Sequence, residues 1–297
     1  MNDLVISVSC NYGWSHLREY ANSLSTVFEG KKVMCVRDLS SGAYRNLQAS
    51  GFELAPFPIG KGTFFISRYG AAVEYVKKNL SDLRYVIWTD CRDVVFQTNP
   101  FMWLEKHLYP SKVLGCSLGK NIKEDGLEAQ WVSICSNPEA FEWLKEEPAL
   151  CVGAIAGEAS TMLDVLAEIY DRGVALSDLR PDFSVGMDEG LFNYVLRTKF
   201  KSVMRVPTLE DCFAAHCTYL LLPNFVRPWE IRDSGLIYPV GKEEPFSIVH
   251  QYDRDERWKR LVQSRYSDKD PSRMEDENRS VGSRSRSRWL GRSRTAQ

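Results

Sequence analysis

The sequence lacks several features that would assign it to a protein class at once. No apolar run reaches the roughly 18–20 residues that a bilayer-spanning helix needs. The start, MNDLVISVSCNYGW, has no basic segment followed by a long apolar stretch. We therefore expect no transmembrane segment and no Sec signal. A content of 44% hydrophobic and 26% charged residues over 297 positions also excludes a disordered or collagen-like chain.

The eight cysteines include no CxxC pair. They stand singly, and five have apolar neighbours, namely Cys10, Cys35, Cys116, Cys135 and Cys151. An even number is compatible with disulfides, but isolated thiols among apolar residues are more typical of a reducing compartment. We expect free thiols and a cytoplasmic protein.

The net charge of −1 hides an uneven distribution. Six of the 38 basic residues lie in residues 278–297, which contain no acid, so the other residues hold 32 basic and 39 acidic side chains. Hydrophobic periodicity ends near Ser264. We expect one acidic domain, residues 1–264, and a disordered, basic Ser/Arg tail, residues 265–297.

The first hundred residues alternate short β-branched runs with helical patterns, which is typical of βα units around a mostly parallel sheet. The pattern predicts strands at Leu4–Ser9, Lys32–Val36, Phe52–Ala55 and Tyr85–Thr89 and helices at Ser15–Phe28, Ser40–Ala49 and Ile66–Leu80. The fold class is therefore α/β, with a Rossmann-like central sheet flanked by helices.

After Pro100 the pattern becomes mixed. It predicts a strand at Val113–Ser117, a small-residue loop at Gly153–Gly157 and helices at Phe101–His107, Asn137–Lys145, Ser160–Tyr170 and Asp188–Arg197. No internal repeat or strong linker precedes residue 250, so we expect a single domain with an elaborated second half.

The most informative segment is a buried strand that delivers charged side chains onto one turn. Tyr85–Thr89 is followed by Asp90, Cys91, Arg92 and Asp93. Ligands of such sheets bind outside the carboxyl ends of the strands. Two carboxylates there can hold Mg²⁺ or Mn²⁺ and leave positions open for phosphate oxygens. The alternative is a capped turn in which Asp93 pairs with Arg92 or a lysine.

The order of several segments resembles glycosyltransferases of the GT-A fold type, which use nucleotide sugars and carry an Asp-x-Asp signature at the end of a central strand. The matching segments are Thr89-Asp90-Cys91-Arg92-Asp93, Val94-Val95-Phe96-Gln97, Asn99-Pro100-Phe101, Val152–Gly157, Met187–Asn193 and Ile248–Arg254. The chain departs from the family pattern because its acids are spaced Asp-x-x-Asp.

The resemblance implies a nucleotide-sugar donor, with a UDP-sugar favoured, and a metal ion, either Mn²⁺ or Mg²⁺. It also implies a glycan, lipid or protein acceptor, which would bind to the second half of the chain. It implies that Asp90, Asp93 and His250 hold the metal. Asp93 is the firmer ligand by analogy, and Asp90 is a second ligand or a partner of the nucleotide. A neutral imidazole suits Mn²⁺ better than Mg²⁺. From the residues alone, His250 is as readily an ordinary hydrogen-bonded residue at a strand end.

Five further residues are candidates for contacts with the nucleotide sugar. Arg92 would bind a phosphate or form a structural salt bridge. Asn11 and Tyr12 follow the first strand, where they would bind the base edge and stack on the base, or form a surface turn. Arg68 would contact phosphate or base, or lie on a solvated helix face. Gly153 would let the backbone approach the sugar, although close packing explains it nearly as well.

Asp188 and Glu189 begin a helix, where acids favour the helix dipole. The catalytic interpretation places one of these carboxylates in the sugar pocket, where it binds hydroxyls or takes the proton of the attacking acceptor as general base. His16, His107 and His216 lack partners at useful spacing and are given no role.

Three other protein classes are alternatives to this interpretation. A phosphatase of the haloacid dehalogenase type has acids two positions apart, whereas Asp90 and Asp93 are three apart. A sugar nucleotidylyltransferase would share the fold and stays an alternative, although it normally has a Gly-rich basic loop after the first strand, which Cys10–Trp14 is not. A binding protein would use the tail segment SRSRSRWLGRSR on nucleic acid or anionic lipid. We keep the tail as an accessory peripheral contact with an anionic surface.

Overall fold

The computed structural model describes residues 1–58, 60–218 and 228–267. Its strands are β1 (Asn2–Cys10), β2 (Lys31–Arg37), β3 (Phe52–Pro56), β4 (Leu83–Thr89), β5 (Val94–Phe96), β6 (Val113–Asn121), β7 (Pro148–Glu158), β8 (Met204–Arg205), β9 (Ala214–His216), β10 (Trp229–Ile231), β11 (Ile237–Pro239) and β12 (Ile248–His250). Its helices are α1 (Trp14–Val27), α2 (Ser41–Ala49), α3 (Phe64–Asn79), α4 (Pro100–His107), α5 (Gly126–Cys135), α6 (Pro138–Leu144), α7 (Ala159–Leu179), α8 (Met187–Lys199) and α9 (Glu256–Tyr266).

A seven-stranded sheet in the order β3-β2-β1-β4-β7-β6-β8 forms the centre of the fold. The pairs β2–β3, β1–β2, β1–β4 and β6–β8 are parallel. Only β7 runs antiparallel to its two neighbours, β4 and β6, within this described sheet. The expected mostly parallel sheet is confirmed.

The central sheet is covered on both faces, as the alternation of its side chains requires. On β1, Leu4 and Ile6 belong to an apolar cluster that includes residues of α3, α7 and α8. Val5, between them, belongs to a second cluster that includes residues of α1, α2 and α4. The two clusters are the cores above and below the sheet.

A smaller sheet in the order β5-β12-β9 lies beside the end of β4. β12 pairs antiparallel with β5, so that His250 lies opposite Val94, the residue that follows the acidic turn. Helix α9 holds this region to α1 and β5, since the Tyr266 hydroxyl donates to the Phe96 carbonyl and Asn22 donates to the Tyr266 carbonyl. The chain thereby brings a segment from near residue 250 to the end of β4.

Local sequence accounts for several of the element boundaries. The Ser40 hydroxyl accepts a hydrogen bond from the Ala43 amide at the start of α2, as its N-cap position predicts. Asn137 caps α6 in the same way, accepting from the Ala140 amide. Helix α7 runs nine residues beyond the predicted end at Tyr170, because Val174 and Leu176 continue to pack against the core and Gly173 lies against Ile66 of α3.

The predicted small-residue loop at Gly153–Gly157 is wrong, because these residues lie in the middle of β7. A β-carbon at Gly157 would lie 2.4 Å from the carbonyl oxygen of Lys112 on the neighbouring segment. The glycines here therefore reflect close approach of neighbouring groups to a fully buried strand, and not a turn.

No helix in the described ranges is long and apolar enough to cross a membrane. All eight cysteines are free thiols. Helix α9 continues to Tyr266, past the expected domain boundary at residues 264 and 265. The Ser/Arg tail from residue 268 onward lies outside the described residues.

Candidate functional site

Backbone hydrogen bonds fix the acidic turn that joins β4 to β5. The amide of Asp90 donates to the carbonyl of Gly153 on β7, over 3.2 Å. The carbonyl of Asp93 accepts from the amide of Gln251, directly after β12, over 2.7 Å. The turn is thus held from both sides, and its two carboxylates have defined positions at the carboxyl end of β4.

His250 completes a group of three potential metal ligands with these carboxylates. Its Nε2 lies 3.6 Å from Asp90 Oδ2 and 3.6 Å from Asp93 Oδ1. The three ligand atoms lie within 4.8 Å of one another. Separations of 3.6 Å are longer than an N–H···O hydrogen bond, so the atoms face a common space without closing it.

The donor set fits a divalent cation. Two carboxylate oxygens and one imidazole nitrogen suit Mn²⁺ better than Mg²⁺, because Mg²⁺ prefers oxygen ligands. His250 and Asp93 are 2% and 6% exposed, while Asp90 is only partly buried, which leaves one side of the group open. Burial raises the pKa of Asp93 despite the nearby His250, and a bound cation would favour its charged form.

Arg68, on α3, links the acidic turn to the start of α8. One guanidinium nitrogen donates to Asp90 Oδ1 and another to Asp188 Oδ2, each over 2.7 Å. The Arg68 side chain is 12% exposed. Burial raises the pKa of Asp90, but the charges of Arg68 and His250 outweigh it, so that this pKa lies below its ordinary value.

Three acidic side chains gather where the first turns of α5 and α8 meet. Asp188 and Glu189 follow Gly186, whose positive φ of 78° starts α8. Glu128 of α5 is 5% exposed, and its Oε2 has no hydrogen-bond partner among the described residues. This arrangement is a cluster of three carboxyl groups beside Arg68, called the carboxyl cluster below.

Burial in the carboxyl cluster favours the neutral forms of Glu128 and Glu189, whereas Asp188 is paired with Arg68. Burial, then the charges of Asp125 and Asp188, raise the pKa of Glu128 to about 8. Burial and then Glu128 raise the pKa of Glu189 well above its usual range. A neutral carboxyl can both donate and accept a hydrogen bond, which suits a ligand rich in hydroxyl groups.

Arg92 and Tyr12 lie on the other side of the acidic turn. The exposed Arg92 donates to Asp93 Oδ2 and to Asp253 Oδ2, each over 3.0 Å. Tyr12 stacks on His16 with ring centroids 5.3 Å apart. Burial, followed by the neighbouring Cys91, raises the pKa of Tyr12 to about 12. Tyr12 therefore stays neutral beside the acidic turn.

The predicted site residues come together to different degrees. Seven of them form one connected group through the contacts given above, namely Arg68, Asp90, Arg92, Asp93, Gly153, Asp188 and His250. Glu189 joins it through the carboxyl cluster with Glu128 and Asp188. Asn11 is exposed, has a positive φ of 58° and donates its amide to the Arg37 carbonyl. Among the described residues, no hydrogen bond joins the Asn11 side chain to the acidic turn.

Two residues of this region were not found from the sequence. Glu128 follows the N-cap Asp125 and looks like an ordinary acid of a first helical turn. His216 lies on β9, and its Nδ1 is 3.0 Å from Nδ1 of His250. One feature of the sequence could have indicated His216. Two short apolar runs, Phe213–Ala215 and Phe246–Val249, are each followed directly by a histidine.

The fold is similar to that of solved galactosyltransferase structures. A crystal structure of LgtC in complex with donor and acceptor sugar analogs matches with a TM-score of 0.56 and 13% identity, covering 92% of this chain and 99% of that chain. A crystal structure of an active-site mutant of LgtC matches with a TM-score of 0.54 and 14% identity, covering 88% of this chain and 95% of that chain. No family model and no curated protein matches the sequence significantly. At these identities the similarity establishes a GT-A-type α/β fold.

Proposed function

We propose that the protein is a metal-dependent glycosyltransferase. It would transfer a sugar from a nucleoside diphosphate sugar, with a UDP-sugar favoured, to a hydroxyl of a glycan, lipid or protein. The observation that carries the proposal is the convergence of Asp90, Asp93 and His250 at the carboxyl end of β4. The comparison adds support, because LgtC, which has a similar fold, is a galactosyltransferase crystallised with donor and acceptor sugar analogs.

The cation would be held by Asp90, Asp93 and His250. Mn²⁺ is preferred over Mg²⁺ because one of the ligands is an imidazole nitrogen. When bound, it stabilises the negative charge that develops on the departing diphosphate. Arg68 keeps one oxygen of Asp90 occupied and leaves the other facing His250. Asp90 therefore offers one oxygen to the metal, while its position is fixed through the other.

Arg92 and Tyr12 would bind the nucleotide. The Arg92 side chain is 42% exposed and lies beside Asp93, so it can contribute further hydrogen bonds to a diphosphate next to the metal ligands. Tyr12 is only partly buried, and the accessible part of its ring would stack on the base. Asn11 would bind the edge of the base through its side-chain amide. These roles place the nucleotide between the ends of β1 and β4.

The carboxyl cluster would bind the sugar and the acceptor hydroxyl. Neutral Glu128 and Glu189 can exchange hydrogen bonds with hydroxyl groups, and the unpartnered Oε2 of Glu128 is one free acceptor. A general base must be ionised before it accepts a proton, so the raised pKa of Glu189 favours hydroxyl binding at neutral pH. Asp188 is paired with Arg68 and would fix the position of the carboxyl cluster relative to Asp90.

Calorimetric titration with UDP and GDP, with and without Mn²⁺, tests the proposal. We expect UDP to bind more tightly with Mn²⁺, and Asp93→Ala to lose that difference. Asp82→Ala is the matched control, because Asp82 precedes the opposite end of β4. Failure of both nucleotides to bind the native protein in the presence of metal would overturn the proposal. A hydrolysis screen over nucleotide sugars would then identify the donor.

The Ser/Arg tail is proposed to hold a cytoplasmic enzyme at an anionic membrane or polyanion. The proposal rests on its six arginines and lack of acids between residues 278 and 297. Sedimentation with vesicles containing phosphatidylserine should decrease as salt rises and disappear on removal of residues 268–297. Sugar transfer to a water-soluble acceptor should be unchanged by the same truncation. Binding that is insensitive to salt would contradict a contact made by charge.

A further inference from the structure

His216 and His250 form a pair across two neighbouring strands. The strands β9 and β12 are parallel, and His216 lies directly opposite His250 in their register. The residues are 1% and 2% exposed. Their rings are nearly perpendicular, at 85°, and the two Nδ1 atoms are 3.0 Å apart. This separation is that of a hydrogen bond, so one Nδ1 must carry the hydrogen and the other must accept it.

The two nitrogens of the His250 ring have different neighbours. Nε2 faces Asp90 and Asp93, and Nδ1 faces His216. A nitrogen that binds a cation must present its lone pair, so the single hydrogen of neutral His250 must then lie on Nδ1. A buried N–H without an acceptor is destabilising, and the metal-binding form of His250 therefore needs an acceptor at Nδ1.

Two atoms of the described residues can accept that hydrogen. His216 Nδ1 is 3.0 Å from His250 Nδ1, and Cys151 Sγ is 3.5 Å away. Sulfur is a weak acceptor, whereas an imidazole lone pair is a strong one. No described residue binds Nε2 of His216. When His216 accepts at Nδ1, its own hydrogen lies on Nε2 without a described partner, so cation binding at His250 has to offset that cost.

We propose that His216 is a positioning residue which holds the ring of His250 and accepts the hydrogen on its Nδ1 when Nε2 of His250 presents a lone pair to a cation beside Asp90 and Asp93. His216 does not touch the metal or the substrate. It acts through His250, in the way that outer hydrogen-bond partners orient metal-binding histidines in other proteins. The inference rests on the proposed function only in so far as that function requires a cation at these three residues.

Substitutions of His216 separate its hydrogen-bonding role from its packing role. His216→Phe keeps a planar ring without any nitrogen. His216→Asn places an amide oxygen near the position of Nδ1 and can still accept a hydrogen bond from His250. His107→Leu is the matched control, because His107 is an exposed residue of α4.

The measured quantity is the affinity of the full chain for Mn²⁺. It is determined from the electron paramagnetic resonance signal of the free ion, with and without UDP. We expect His216→Phe to weaken Mn²⁺ binding roughly 10–100-fold. His216→Asn should stay within a few-fold of the native protein, and His107→Leu should match it. Thermal unfolding of each variant shows that the loss of affinity occurs in a folded protein.

Two results would overturn the role of His216. A folded His216→Phe variant with native Mn²⁺ affinity would exclude it, and so would a folded His216→Asn variant whose affinity falls below one tenth of the native value. The asparagine variant decides the question even if the phenylalanine variant does not fold. Failure of the native protein to bind Mn²⁺ in either condition is a different result, since it would refute the proposed metal centre itself.

Discussion

Gly153 lies directly against the imidazole ring of His250. A β-carbon at Gly153 would be 2.2 Å from Cε1 and 2.3 Å from Nδ1 of that ring. The carbonyl of the same glycine accepts the amide hydrogen of Asp90. Gly153 thus contacts two of the three proposed metal ligands, and the absence of its side chain lets the ring lie beside β7.

Replacement of Gly153 by alanine should therefore disturb the metal site. The methyl group forces the His250 ring or β7 to move, which typically costs about 1–3 kcal/mol in a packed core. We expect Gly153→Ala to lower the affinity for Mn²⁺ by at least tenfold and to lower the free energy of unfolding. Gly126→Ala is the control, because nothing lies within 4 Å of a β-carbon at Gly126. Unchanged Mn²⁺ affinity in Gly153→Ala would show that His250 is not a ligand.

Loss of the Arg68 charge should destabilise the metal-free protein. Arg68→Met keeps an apolar chain but leaves Asp90 and Asp188 without the cation between them. Removal of one partner from a buried ion pair typically costs about 3–5 kcal/mol, because the remaining charge is buried without compensation. Urea denaturation of native protein and variant measures the difference.

A double variant identifies the cause of that loss. Arg68→Met combined with Asp188→Asn has one buried carboxylate fewer than Arg68→Met alone. We expect the double variant to be more stable than the Arg68→Met variant, since one uncompensated charge is gone. A double variant that is less stable than both single variants would indicate that packing of the arginine chain, and not its charge, stabilises the site.

The parts of the site that could be predicted are those that one segment encodes. Asp90 and Asp93 follow the most apolar short run of the first half, and the end of a central parallel strand is where ligands bind. Ser40 and Asn137 cap helices by accepting a hydrogen bond from the backbone amide three residues later, and this spacing can be read from the sequence. For these features the residues in contact are also close along the chain.

The rest depends on register and packing between distant segments. Arg68 reaches Asp188 across 120 positions, and the alternatives of phosphate contact or solvated face did not include this ion pair. His216 meets His250 only because β9 and β12 pair in one particular register. The glycines of β7 looked like a loop, because sequence does not show that neighbouring groups approach this strand closely.

Stability should depend on pH through Glu128. Its pKa is raised to about 8 in the folded protein and lies near 4.3 in an unfolded chain. Between these values the folded state binds the proton and the unfolded state does not, so the free energy of unfolding decreases as pH rises. Glu128→Gln removes this contribution and should be more stable than the native protein at pH 8 by up to several kcal/mol, since each unit of pKa difference corresponds to about 1.4 kcal/mol.

The comparison at low pH is the test of that assignment. At pH 4 Glu128 is neutral in the folded state, so Glu128→Gln and the native protein should unfold at similar urea concentrations. Glu243→Gln, at a side chain 95% exposed, should show no difference from the native protein at either pH. A stability difference for Glu128→Gln that is the same at pH 4 and pH 8 would contradict a raised pKa.

Arg92 and Asp253 provide the test that separates a phosphate contact from a structural salt bridge. If Arg92 binds the diphosphate, Arg92→Ala should weaken UDP binding in the presence of Mn²⁺ by roughly ten- to a hundredfold, as expected for a hydrogen bond to a charged group. Asp253→Asn leaves the arginine in place beside Asp93 and should bind UDP within about threefold of the native protein. Arg84→Ala, at the opposite end of β4, should match the native affinity. Equal losses in Arg92→Ala and Asp253→Asn would assign Arg92 to the salt bridge, because both substitutions then act by breaking the same ion pair.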